Sequence, residues 1–100
     1  SGIRRASGFR TILGIPNAHQ RVYALLDYLA KTSPGGLVVI DRLPTQQEIS
    51  IMVNTSRETV SRAMQVLIQR GVVEKDLKRL IVRKPETLRQ EVNALKPVTD

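Results

Sequence analysis

Residues 45–62 read TQQEISIMVNTSRETVSR, and this stretch contains the signals that predict two consecutive helices. The Thr45 hydroxyl can accept a hydrogen bond from the backbone N–H of Glu48, while the Glu48 carboxylate can accept one from the N–H of Thr45. This reciprocal pair is a capping box, and it predicts the start of a short helix. The same spacing recurs at Thr55 and Glu58 and predicts the start of a second, longer helix.

The connection between these helices has the residue types that a close helix crossing needs. Ser50 places a small side chain near the middle of the first helix, where the second helix passes. Asn54 tolerates the left-handed backbone conformation in which the first helix can end. Gly71 gives the same freedom after the second helix, which we expect to run from Ser56 to Arg70. Together they favour a helix-turn-helix over residues 45–70.

The second helix separates into an apolar and a polar face when successive residues are placed about 100° apart. The apolar face holds Val60, Ala63, Met64, Leu67 and Ile68. The polar face near the helix start holds Arg57, Glu58, Ser61 and Arg62. Because Arg can donate two hydrogen bonds to guanine and Glu can accept one from cytosine, we predict that this helix lies in the major groove of duplex DNA and that its polar face reads base edges there.

A plainer interpretation of the same face is ordinary solvation. Glu58 and Arg62 are four residues apart, a spacing at which a weak surface ion pair can form. We favour DNA reading because the helix starts, the small Ser50, the turn and a basic hairpin occur together in one short segment.

Residues 72–75 and 80–83 predict two strands joined at residues 76–79, a hairpin in the position of a wing. Its cations suit a DNA backbone, although edge hairpins also carry lysine to prevent aggregation. Hydroxyl groups at the helix starts can also bond phosphate oxygens. The predicted phosphate contacts are Thr45, Thr55, Ser56, Thr59, Lys78 and Arg79.

The remaining elements complete a small domain. Asn17 can cap a helix that runs to about residue 32, and residues 37–40 predict a strand. Pro85 favours a final short helix to about Leu95. We therefore expect a mainly α fold with a small β-hairpin wing, a winged helix-turn-helix with a three-helix core and a short antiparallel sheet.

The chain is expected to have three parts. Residues 1–16 contain glycine and proline without a sustained hydrophobic period, which predicts a linker or hinge. Residues 17–84 form the predicted winged helix-turn-helix domain. Residues 85–100 form a C-terminal tail that contains, at most, the short final helix.

The composition of the 100 residues excludes several classes of function. Cysteine is absent and His19 is the single histidine, so we expect neither an enzyme centre nor a metal site. No apolar run approaches the roughly 20 residues that span a bilayer, so we expect a cytoplasmic protein without membrane contact. The sum of 16 basic and 9 acidic residues gives a formal charge of +7, which suits a polyanionic partner.

This positive charge is concentrated in two segments. Residues 57–84, which contain the second helix and the hairpin, carry +5, and residues 1–26 carry +4. For the first of these segments a DNA backbone is the expected neighbour. For residues 1–26, which include Arg21, the sequence indicates no role beyond solubility.

The motifs T-x-Q-E-I at residues 45–49 and S-R-E-T-V-x-R at residues 56–62 resemble the helix-turn-helix of bacterial Crp/Fnr transcription regulators. A weaker likeness extends over residues 19–83. The resemblance implies sequence-specific binding to double-stranded DNA by a C-terminal domain. The family's base-reading positions fall on Arg57, Glu58, Ser61 and Arg62. At these positions Arg57 resembles the residue of the cyclic AMP receptor protein branch, and Ser61 resembles that of the Fnr branch. Because Arg57 is present, the resemblance favours a TGTGA-like half-site.

The resemblance also implies partners for the whole regulator. Members of this family bind DNA as two-fold homodimers and act with RNA polymerase, which is therefore a candidate partner. A cyclic nucleotide or another effector would bind a preceding domain, so no cofactor is expected in these residues. On its own, this fragment is expected to be monomeric. The alternatives are a winged helix that contacts proteins and a DNA-binding regulator of another winged-helix class.

Overall fold

The computed structural model describes residues 8–93. The helices are α1 (Gly8–Leu13), α2 (Ala18–Leu29), α3 (Gln46–Met52), α4 (Arg57–Gln69) and α5 (Pro85–Asn93). The strands are β1 (Lys31–Thr32), β2 (Val38–Ile40), β3 (Val73–Asp76) and β4 (Arg79–Val82). This mainly helical arrangement, with an antiparallel hairpin after α4, confirms the predicted winged helix-turn-helix. Within residues 8–93, no helix is long and apolar enough to cross a membrane.

The helix starts of α2 and α3 are capped as the sequence predicts. The Asn17 side chain accepts a hydrogen bond from the backbone N–H of Gln20 at 3.0 Å. Both halves of the Thr45 capping box are present: the Glu48 N–H lies 3.0 Å from Thr45 Oγ1, and the Thr45 N–H lies 2.9 Å from Glu48 Oε1. Side chains therefore satisfy backbone donors that a helix start leaves unpaired.

The expected extension of α2 to residue 32 is wrong. The helix ends at Leu29, and Ala30 is already extended, with φ −68° and ψ 139°. Lys31 pairs instead with Val39, which makes β1 an edge strand of the sheet. The gain from strand pairing outweighs the helix propensity of these residues, a tertiary effect that periodicity does not report.

The four strands form one antiparallel sheet in the order β1-β2-β4-β3. The hairpin of β3 and β4 joins the sheet through β2, with Val39 paired to Ile81 and Glu74 paired to Ile81 on the other side. The wing is therefore continuous with the sheet that covers the core. Its turn is shorter than expected, since the register closes it between Asp76 and Arg79.

A second correction concerns the start of α4. The capping box predicted at Thr55 and Glu58 is wrong, because Ser56 is the N-cap and accepts a hydrogen bond from the Thr59 N–H at 3.1 Å. The Thr55 N–H donates to the Ser50 carbonyl at 2.9 Å, which keeps Thr55 in the turn that closes α3. Asn54 has the expected positive φ, 56°.

The end of α4 is a Schellman arrangement around Gly71. The Gly71 N–H donates to the Ile68 carbonyl at 3.0 Å, and the Val72 N–H donates to the Leu67 carbonyl at 2.9 Å. Gly71 has φ 75°, a conformation that favours glycine. Val72 and Leu67 are both buried, so the helix end is also closed by an apolar contact.

Helix α5 packs against α2 and closes the core on one side. Leu88 is fully buried, and the buried Gln20 side chain donates to the carbonyl oxygens of Glu91 and Val92 at 3.2 and 2.8 Å. The short helix expected after Pro85 is therefore present and belongs to the core. Its predicted end at Leu95 lies outside the described residues.

Helix α1 lies within the stretch for which the sequence predicts an irregular linker. Ile12 is 4% exposed and belongs to the same core cluster as α2. A helix of six residues is too short for a hydrophobic period to emerge, which is why the pattern misses it. Residues 1–7 of the predicted linker lie outside the described residues.

Candidate nucleic-acid interface

The polar face predicted for α4 is present and exposed. Val60, Ala63, Met64 and Leu67 are buried and fix the rotation of the helix against the core. This leaves Arg57, Glu58 and Arg62 exposed and Ser61 half-buried, all within the first two turns. The sequence placed these four side chains together, and the structure does so as well.

The side chains on this face have no hydrogen-bonding or ionic partner within residues 8–93. The ion pairs of that part of the chain join Arg70 to Glu91, Arg79 to Asp76, and Arg83 to Glu74. The ion pair considered for Glu58 and Arg62 does not form. Their donors and acceptors thus remain available for a ligand, which an intramolecular pair would have consumed.

The predicted phosphate-contacting hydroxyls fall into two groups. Thr45 and Ser56 are exposed N-caps, and Ser56 Oγ also lies 2.9 Å from Thr59 Oγ1. The Thr45 oxygen accepts from the helix, but its O–H can still donate to an external oxygen. Thr55 and Thr59 are both half-buried, Thr55 in the turn before α4 and Thr59 in its first turn, so both residues are less accessible than the exposed Thr45 and Ser56.

The two predicted phosphate contacts in the wing differ in their surroundings. Arg79 Nη2 bonds Asp76 Oδ2 at 2.8 Å, whereas the Lys78 side chain is exposed and has no partner within the described residues. The Lys78 carbonyl accepts from the Leu43 N–H at 2.8 Å, which ties the wing turn to the segment before α3. The wing is therefore held at a set position beside the helix-turn-helix.

A groove runs between the start of α3, the middle of α4 and the wing. Its polar and charged walls include Thr45, Gln65, Lys75 and Lys78, and no acidic residue among residues 8–93 lines it. Ile68 also lines it and is 37% exposed. The assignment of Ile68 to the buried face of α4 was wrong, because the wing reaches that edge of the helix without covering it.

Arg21 is the site residue that the sequence did not reveal. Its guanidinium donates to the carbonyl oxygens of Ile15 and Val53, each at 2.7 Å, and to those of Pro16 and Asn54, each at 3.2 Å. These groups belong to the segment before α2 and to the turn between α3 and α4. Arg21 thus holds the turn that sets the position of α4, and no periodicity or motif in the sequence signals this role.

The far end of α4 is anchored to α5. Arg70 Nη1 lies 3.0 Å from Glu91 Oε2 at the edge of the core. The neighbouring Tyr23 is buried, and this burial raises the pKa of its hydroxyl above the ordinary value. The Glu91 carboxylate raises that pKa further, while Arg70 opposes the effect. The Arg21 contacts before α4 and the Arg70–Glu91 ion pair at its end therefore connect both ends of the helix to the rest of the domain.

A capped helix-turn-helix with a free basic face, flanked by an anchored basic wing, defines the class of winged helix-turn-helix DNA-binding domains. Residues 20–91 match the family model described as the Crp-like helix-turn-helix domain. The chain belongs to this family, which comprises DNA-binding domains of transcription regulators and not enzymes.

Solved structures of regulators share this fold. A CRP-family transcriptional regulator from Thermus thermophilus is 20% identical with a TM-score of 0.69, and the match covers 91% of this chain and 48% of that one. A CRP/FNR-family regulator from the same organism is 21% identical with a TM-score of 0.64, covering 96% and 50%. The Thermus thermophilus catabolite activator protein is 31% identical with a TM-score of 0.57, covering 94% and 42%.

The chain therefore spans half or less of the length of each of these relatives. Among curated proteins, no sequence matches it. The family assignment accordingly describes the domain, and the properties of a whole regulator are matters for proposal.

Proposed function

We propose that this domain reads a specific sequence in double-stranded DNA with α4 in the major groove. The observation that carries the proposal is the free polar face of α4. Arg57, Glu58 and Arg62 are exposed, have no partner within residues 8–93, and occupy the part of a recognition helix that meets base edges. Ser61 adds a hydroxyl to the same face.

The rigidity of α4 supports reading rather than loose attraction. Direct readout requires donors and acceptors at set positions, since each bidentate contact depends on geometry. Ser56 caps the start of α4, Arg21 holds the preceding turn, and Arg70 anchors the far end. These contacts present the base-reading side chains from a fixed frame.

The proposed phosphate contacts surround this reading face. Thr45, Ser56 and Thr59 offer hydroxyl groups at the helix starts, and Lys78 offers a free cation on the wing. Thr55 and Arg79 complete the set, with Arg79 shared between Asp76 and a phosphate. Such contacts position a protein on DNA and supply salt-dependent affinity without carrying sequence information.

The half-site and the whole regulator extend the proposal. Arg57 favours a TGTGA-like half-site, in which the base read near Ser61 is the least defined position. In the whole regulator, two copies would bind half-sites about one helical turn, or 34 Å, apart. An effector and RNA polymerase would contact that assembly, while this fragment alone would bind DNA as a monomer.

Fluorescence anisotropy with a TGTGA-type duplex and a scrambled duplex tests this proposal. We expect Arg62→Ala to cost about 1–3 kcal/mol on the TGTGA-type duplex and to relax discrimination at one base. Lys78→Ala should weaken binding to both duplexes alike and reduce the salt slope by about 1. Arg89→Ala, which removes an exposed arginine from α5, is the matched control and should leave discrimination unchanged.

Equal binding of the two duplexes, with no effect of Arg62→Ala on either, would contradict sequence reading. In that case, a winged helix that contacts proteins becomes the better account of the same exposed face. If the two duplexes bind with different affinities, selection of bound sequences from a random duplex pool, with the domain forced into a dimer, defines the half-site directly.

A further inference from the structure

The wing turn carries an apolar side chain in an unfavourable setting. Leu77 has φ 58° and is 88% exposed. A residue with a Cβ is disfavoured in this left-handed region, where glycine or asparagine is common. Exposure of a large apolar side chain to water is a second unfavourable feature. Strained residues of this kind concentrate at binding sites.

The position of Leu77 connects this strain to the groove beside the helix-turn-helix. Leu77 lines that groove together with Thr45 and Gln65. The bond between the Lys78 carbonyl and the Leu43 N–H holds the turn there. The exposed side chain is therefore part of a formed surface and is not carried on a free loop end.

The chemistry of the groove combines cations with apolar surface. Lys75 and Lys78 line it, both exposed and without an ion pair in the described part of the chain. Leu77 and the partly exposed Ile68 supply apolar surface, and the described part of the chain contributes no carboxylate to the lining. A strand of DNA alternates phosphate charges with the carbon surface of deoxyribose, so this combination is complementary to it.

We propose that this groove receives one sugar–phosphate strand of duplex DNA, with Leu77 packed on a deoxyribose and Lys75 and Lys78 on the flanking phosphates. The inference rests on the proposed function and adds an apolar, sequence-independent contact to it. Packing of Leu77 on the sugar would remove apolar surface that is exposed to water in the free domain, which favours binding.

Leu77→Gly separates this contact from the stability of the fold. Glycine adopts the φ of residue 77 without strain, so the thermal midpoint should stay equal or rise. The affinity for both the TGTGA-type and the scrambled duplex should fall about three- to tenfold, as expected for a partly buried apolar side chain. The salt slope should not change, because no charge is removed.

Two further variants make the measurement specific. Leu77→Asn keeps a Cβ and tolerates the left-handed conformation, so a matching loss of affinity excludes added wing flexibility as the cause. Leu37→Asn alters another exposed leucine, 40% exposed and outside the lining of this groove, and should leave DNA affinity unchanged.

Unchanged DNA affinity in Leu77→Gly, or a reduced salt slope in that variant, would overturn the inference. The proposed function is judged separately by Arg62→Ala. If Arg62→Ala loses discrimination while Leu77→Gly binds as the unaltered chain does, only the sugar contact fails. If the unaltered chain binds neither duplex, the proposed function and the sugar contact both fail.

Discussion

Arg21 and Arg62 have the same side chain in two regions of one small domain, and their surroundings differ completely. The Arg21 guanidinium donates to four backbone carbonyls, two of them in the turn of the helix-turn-helix. The Arg62 guanidinium is exposed and has no partner within residues 8–93. One arginine has its donors occupied by the protein, and the other has them available for DNA.

This difference shows that the basic residues of the chain divide between stabilising the fold and remaining available for a ligand. A guanidinium surrounded by carbonyls stabilises the fold, whereas a free guanidinium on a fixed helix can recognise a base. The wing contains both kinds of cation: Arg79 and Arg83 form ion pairs with Asp76 and Glu74, whereas Lys78 has no ion-pair partner in the described part of the chain. Net charge alone does not distinguish these roles.

The largest expected effect belongs to Arg21→Ala. We expect it to lower the free energy of unfolding by about 2–4 kcal/mol, since the two partly buried bonds to the Val53 and Ile15 carbonyls lose a charged donor, along with two exposed bonds. Arg62→Ala should change the unfolding free energy by less than about 0.5 kcal/mol. Urea denaturation followed by circular dichroism measures both variants.

Arg21→Lys sharpens the same comparison. A compact ammonium cannot reach carbonyls on both sides as the planar guanidinium does, so we expect only partial recovery of stability. Equal stability of Arg21→Ala and Arg62→Ala would show that the contacts of Arg21 do not hold the turn.

Ser56 offers an intermediate effect, because it combines a structural and a proposed binding role. Ser56→Ala should cost about 1 kcal/mol of stability through loss of the N-cap and should also weaken DNA binding. Ser56→Asp keeps a good N-cap but places a negative charge near the proposed phosphate. We therefore expect near-native thermal stability and weaker DNA binding for the aspartate variant.

Thermal melts and DNA titrations of the two Ser56 variants should thus rank them differently. If Ser56→Asp binds DNA as tightly as the unaltered chain, Ser56 caps the helix without a phosphate nearby.

The smallest effect concerns the pH dependence of stability at Tyr23. Burial and the Glu91 carboxylate raise its pKa above about 10, the value expected in the unfolded chain. The folded state therefore retains the hydroxyl proton at a pH where the unfolded state releases it. This contribution is complete below pH about 10 and is lost as the pH rises through the folded-state pKa.

Tyr23→Phe should accordingly flatten the decline of stability above pH 10. Urea denaturation at pH 8, about 9.5 and about 10.5 checks this, since the stability of the unaltered chain should fall relative to that of Tyr23→Phe as the pH rises. A parallel decline in both proteins would assign the alkaline loss of stability to other groups.

The local sequence predicted most of the helix-turn-helix. The Thr45 capping box, the positive φ of Asn54 and the end of α4 at Gly71 are confirmed, because each depends on groups within a few residues. The polar face of α4 follows from helical period in the same way. Even here, choosing between Thr55 and Ser56 as the N-cap required knowledge of the preceding turn.

The base-reading and phosphate-contacting assignments remain predictions. The structure shows, however, that the assigned residues differ in exposure and in whether another side chain already bonds them. Arg57 and Arg62 have no partner among residues 8–93, Thr55 is half-buried, and Arg79 is bonded to Asp76. Exposure and pairing depend on neighbours from other elements. Residue type and spacing therefore predicted which side chains could contact DNA, but not which of them are accessible to it.

Local sequence was enough to predict the capped starts of α2 and α3, the turn, most of the apolar face of α4 and the overall excess of positive charge, since these depend on local hydrogen bonds, helical period and composition. Three features became visible only in the tertiary structure: Arg21 holds the turn, α1 and α5 pack into the core, and Leu77 lines a basic groove. Those features join residues far apart in the chain or depend on exposure. They arise from packing, where strand pairing and burial outweigh local preference.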